Sequence, residues 1–65
     1  MKTKEYKGYI GYYTYNDAEG YYSGYIQKKD TNILSVLRFY GSTSEETLSM
    51  FKKTIDMGYQ YGYFK

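Results

Sequence analysis

The chain has no cysteine and no histidine, and each absence closes a class of function. Without cysteine a disulfide-built secreted scaffold is excluded, and with no His and Cys cluster there is nothing to hold a structural metal. Serine and threonine are present, but no imidazole or thiol stands ready to activate them, so nucleophilic catalysis has no supporting cast. The acidic residues do not rescue an enzyme reading. Asp17 and Glu19 fall in a turn, Glu45 and Glu46 in a helix cap and Asp56 near a helix end, where capping and solvation explain them. The expectation is a protein that is not an enzyme, with no cofactor and no metal.

Long apolar runs are missing too. Nothing approaches the 18 residues a spanning helix needs, and no signal-peptide core is visible, so no membrane contact is expected and the cytoplasm is the default compartment. Charge is nearly balanced, with nine Lys and Arg against seven Asp and Glu for a net +2. The pI of 8.7 and the scatter of Lys2, Lys4, Lys7, Lys28, Lys29, Lys52 and Lys53 lack the clustered basic stripe of a specific nucleic-acid binder. Size is short as well. At 65 residues there is one domain, residues 1–65, in a chain that buries only roughly 60% of its unfolded surface. With no staple available, oligomerisation is the remedy left open for so small a core.

What the chain has in abundance is tyrosine, at twelve positions. Most of the twelve alternate along short runs that read as β-strands. Tyr6 to Asn16 is aromatic, β-branched and free of proline, and Asn16, Asp17 and Gly20 supply the turn into a second strand, Tyr21 to Ile26. The polar stretch Gln27 to Asn32 leads to a third strand, Ile33 to Tyr40. Thr43 and Glu46 then fit the Thr-x-x-Glu capping box that opens a helix, and Leu48, Phe51 and Ile55 make its apolar stripe. Gly58 suits the left-handed position that ends it. Tyr59 to Phe64 alternates as a short last strand would, or trails as an aromatic tail. The fold class expected is α+β, a small antiparallel sheet of three to four strands with one helix on one face, in the order βββα or βββαβ. Gly8, Gly11 and Gly24 fall inside strands, where they allow a bulge, a twist or close approach of the helix.

Tyr6-Lys7-Gly8-Tyr9 with Gly11 and Tyr15 is followed by Glu19-Gly20 with Gly24, and then by Phe39 with Gly41. Glu45-Glu46 with Leu48 comes next, and then Phe51 with Ile55-Asp56. In this order and spacing the stretch from Tyr6 to Asp56 resembles the HicB antitoxin family. The resemblance implies a degenerate RNase H-like βββαβ fold that has lost catalysis and works by covering a toxin, the small ribonuclease HicA. The sequence departs from the family in three places. The stretch from Gly24 to Phe39 is longer, no C-terminal helix-turn-helix or ribbon-helix-helix follows, and Tyr12 and Tyr25 are aromatic where the family tends to be small or polar.

Strand alternation sorts the side chains into two faces. With Tyr9, Gly11, Tyr13, Tyr15, Tyr22, Gly24, Ile26, Leu37 and Phe39 toward the helix, the opposite face carries Ile10, Tyr12, Tyr21, Tyr25, Val36, Arg38 and Tyr40. Tyrosine and arginine are the residues enriched at interface hot spots, so Tyr12, Tyr21, Tyr25, Val36, Arg38 and Tyr40 form the candidate partner-binding site. Any one of these tyrosines reads more simply as a solvent-facing strand residue, and the set together reads as a partner site. Arg38 has two readings, a cross-strand partner for Glu5 or Asp17 and a contact to an acidic or phosphate group.

Two functions follow from that face. The first is an antitoxin-like inhibitor that binds a toxin or nuclease through this face or a sheet edge, lacking the DNA-binding half and suited to a phage or mobile element as an anti-defence factor. The second is a nucleotide or single-stranded nucleic-acid binder that stacks bases on Tyr12, Tyr21, Tyr25 or Tyr40, with Arg38 or Lys28 and Lys29 neutralising phosphate. Self-association, as a homo-oligomer, accompanies either.

Overall fold

The computed structural model describes residues 1–64. Four antiparallel strands lie side by side in chain order, β1 (Lys2–Tyr6), β2 (Tyr9–Asn16), β3 (Tyr21–Lys28) and β4 (Leu34–Gly41). One helix, α1 (Ser44–Gln60), follows and packs on one face. The α+β class and the single antiparallel sheet agree with the sequence. The element order is ββββα, because the fourth strand comes from the start of the chain.

That extra strand arises where a single strand was expected over Tyr6 to Asn16. Lys7 and Gly8 both take positive φ, 50° and 84°, and Tyr6 pairs directly with Tyr9. This is a two-residue hairpin turn whose handedness matches the twist of the flanking strands. Gly8 therefore lies in a turn and not within a strand. The next turn is held by Asn16, whose carbonyl accepts from Gly20 N at 2.8 Å and whose side chain accepts from Ala18 N at 3.0 Å. Between β3 and β4 the register shifts, so that Tyr25 faces Arg38 while Gln27 faces Leu34. Two additional residues on β4 absorb the shift and leave the inside-outside alternation intact.

Thr43 caps the helix, its hydroxyl accepting from Glu46 N at 3.1 Å. The Glu46 carboxylate reaches one residue beyond the usual box and accepts from Ser42 N at 3.0 Å. Gly58 does not end the helix. It lies within it as a buried residue, and a Cβ there would run into the Phe64 ring. The left-handed residue is Gly62, with φ 81°. Tyr63 N donates to the Gly58 carbonyl at 2.8 Å and Gly62 N to the Tyr59 carbonyl at 3.3 Å, the paired bonds of a Schellman cap. The cap folds Phe64 back onto the helix and against Tyr9, ring centroids 4.2 Å apart. Tyr59 to Phe64 is thus a helix end and its cap. Burial of these rings pushes the Tyr9 hydroxyl pKa above its ordinary value, so the phenol stays neutral.

The core consists of Tyr9, Tyr13, Ile26, Phe39, Phe51, Ile55 and Phe64. On this inner face large side chains alternate with glycine across the strands. Tyr13 faces Gly24, which faces Phe39, and Tyr22 faces Gly41. Gly11 leaves the floor open for the helix, since a Cβ there would stand 2.8 Å from the Phe51 ring. The glycine rows are hollows that rings fill. At the rim, Asp56 accepts from Lys7 Nζ at 2.7 Å and from the Tyr6 hydroxyl at 3.1 Å, and Tyr59 donates to the Lys7 carbonyl at 2.8 Å. The first hairpin is thereby fastened to the helix. Lys7 beside Asp56 holds that carboxyl below its usual range, with Tyr6 adding to the effect.

Candidate functional site

Among the described residues, no second layer lies on the face away from the helix. Pairing registers place Thr3, Tyr12, Tyr25 and Arg38 in one row across all four strands, with Thr14, Ser23 and Tyr40 in the next. Tyr12 and Tyr25 stack nearly parallel, 15° apart with centroids at 5.1 Å. Tyr21 and Tyr40 meet edge to face at 5.9 Å. The Tyr25 hydroxyl touches the Met1 sulfur, and Tyr21 donates to the Glu19 carboxylate, which pushes the Tyr21 pKa up. Each ring is therefore braced by a neighbour. Bracing lowers the entropy that a partner would otherwise have to remove.

All six candidate residues lie on this face. Tyr12, Tyr25 and Arg38 form its middle row, Tyr21 and Tyr40 one end, and Val36, 90% exposed, its margin on β4. Arg38 does not pair with Glu5 or Asp17. Glu5 sits on β1 at the opposite edge of the sheet and takes Lys29 at 3.0 Å, while Asp17 lies in the β2–β3 turn. Arg38 has Tyr25 as its cross-strand neighbour and forms no ion pair among the described residues. Its fork of donors is available to an acidic group.

Two contributors escaped the sequence reading. Leu34 shares the outer face, opposite Gln27, and is exposed. Extending the alternation of Val36, Arg38 and Tyr40 back by two residues would have found it. The other is the flank of α1, where Met57 and Tyr61 border β4. There a shallow hollow of about 230 Å³ is lined by Leu37, Arg38, Thr54, Met57, Tyr61 and Tyr63. No sequence signal marked it, because the segment after Gly58 read as leaving the helix.

The middle row bears on the stacking function. Tyr12 and Tyr25 cover one face of each other, so a base could stack only on the remaining face of either ring, and Arg38 is the single cation of that row. Among the described residues no three acidic side chains gather to hold a metal ion, and no helix is long and apolar enough to cross a membrane. Comparison with protein-family models, curated proteins and solved structures finds no match. The resemblance to HicB antitoxins accordingly stands on the residues quoted for it.

Proposed function

We propose that this chain is a non-enzymatic binding protein that captures a protein partner on the outer face of its sheet, in the manner of an antitoxin-like inhibitor of a toxin or nuclease. The observation that supports this reading is the face itself: Tyr12, Tyr21, Tyr25 and Tyr40, braced in pairs, lie with Val36 and Arg38 on a surface over which the described residues pack no second layer. Braced aromatics flanked by one unpaired guanidinium suit a partner surface with an apolar centre and an acidic group beside it. The chain's work is then occlusion, and the cytoplasm of a cell carrying a phage or mobile element is its setting.

The test compares two forms of the immobilised protein in a host lysate. The wild-type chain should retain one protein in stoichiometric amount, and the Tyr12→Ser, Tyr25→Ser double variant should lose it while keeping its circular dichroism spectrum. Retention unchanged by the double substitution sinks the reading. A 260-nm absorbance excess that disappears with the same substitutions would assign the face to nucleotides instead.

A further inference from the structure

The two edges of the sheet differ in kind. β1 (KTKEY) carries Lys2, Lys4 and Glu5 in five residues, and charges on an edge strand discourage another strand from pairing there. β4 (LSVLRFYG) runs for eight residues with Arg38 as its one charge. Among the described residues only β3 is bonded to it, which leaves its outer side open to pairing. Apolar side chains flank that edge above and below. Leu34, Val36 and Tyr40 stand on the outer face, and Met57, Tyr61 and Tyr63 stand along the helix side.

We propose that the β4 edge is a self-interface, at which two copies of the chain join antiparallel along β4 into one continuous sheet with their α1 helices side by side on one face. Three observations commit the edge to a second copy. The first is closure. Pairing of β4 with β1 of another molecule would propagate without end, and the charges of β1 oppose it, whereas β4 on β4 closes about a two-fold axis. Both outer edges of the joined sheet are then the charged β1.

The second observation is charge register. An antiparallel pairing centred on Leu37 sets Arg38 beside the partner's Val36 and Tyr40 beside the partner's Leu34, so the two guanidinium groups never oppose each other. The third is apolar exposure. Leu34, Val36, Tyr40, Met57, Tyr61 and Tyr63 are between 42% and 90% exposed, and all six flank this edge, where a second copy would cover part of each. The same union removes the weakness of a small core without staples. It also doubles the width of the outer face, though it does not depend on what that face captures.

Sedimentation of the intact chain tests the proposal. The wild type should sediment as a dimer. Val36→Lys puts a cation opposite the partner's Arg38, and Tyr61→Asp charges the helix flank. Each should weaken dimerisation at least about tenfold, the scale of a central interface residue. Both positions are exposed, so the monomer's circular dichroism should not change. Thr3→Lys, on the β1 edge, should leave the dimer as it is. A wild-type chain that stays monomeric at high micromolar concentration overturns the proposal, and so does a dimer indifferent to Val36→Lys and Tyr61→Asp or broken as readily by Thr3→Lys. Capture lost through Tyr12 and Tyr25 with the dimer intact separates the foreign partner from this interface.

Discussion

The two faces of the sheet are built from the same residue type and come to opposite ends. On the inner face a ring meets a glycine across the strands, as Tyr13 and Phe39 do on either side of Gly24. On the outer face a ring meets a ring, as Tyr12 meets Tyr25. A ring over a glycine lies low and lets a second layer approach, which is how Phe51 descends onto Gly11. Rings standing against each other keep their edges up and offer a surface. Strand alternation sorts each tyrosine to its face, and a glycine across the strand, as beside Tyr13, lets an inner ring lie low enough to be covered.

The largest way to break that contrast is to remove what covers the inner face. Phe51 is fully buried against Phe39 and Tyr6, and Phe51→Ala should cost about 3–5 kcal/mol. That is comparable to the whole stability of a domain this size, roughly 3–10 kcal/mol. Urea titration should find the variant largely unfolded at room temperature. Filling a hollow is the next test. A Cβ on Gly24 would collide with the Phe39 ring and the Tyr12 carbonyl, so Gly24→Ala should lose about 1–3 kcal/mol, read as a lower urea midpoint at unchanged slope.

On the outer face the same measurement should barely respond. Tyr25→Ser gives up one stacked pair, worth about 1 kcal/mol, yet should abolish capture of the foreign partner. The smallest effect concerns the rim that clamps the inner layer. Asp56 has its folded pKa below the ordinary 3.8, held there first by Lys7, so its contribution is complete at neutral pH and is lost as pH falls below 3.8 through the folded value. Asp56→Asn should flatten that acid limb in a stability-against-pH series and, because the same carboxylate raises the Lys7 pKa, should also flatten the loss of stability as pH rises above 10.5.

Face assignment was legible in the sequence because alternation survives every local irregularity. Even the shift between Tyr25 and Gln27 inserts two residues and so preserves the phase of Val36, Arg38 and Tyr40. The helix start was legible from Thr43 and Glu46, whose interaction is local. The ends were harder. β1 is polar and exposed, with Lys2 and Lys4 on the helix side yet beyond its cover, so no periodic signal announces it, and the Lys7-Gly8 turn hides inside a run of aromatics. The helix end depends on Phe64 reaching back to Gly58, a fit of shapes that neither residue's own preference reveals. Leu34 and the α1 flank of the β4 edge required knowing that β4 has no outer neighbour. That is a property of topology, which no single strand encodes.

Strand order in space equals strand order in sequence, and every neighbour is reached through a short turn. The ordering cost of closing each loop is therefore small, and a hairpin can form without waiting for a distant segment. No proline is present to add a slow isomerisation. After dilution from denaturant the chain should regain its structure in one rapid exponential phase, with association of two copies as the only step whose rate depends on concentration. A chain connected in this way can reach its fold almost as soon as it is synthesised.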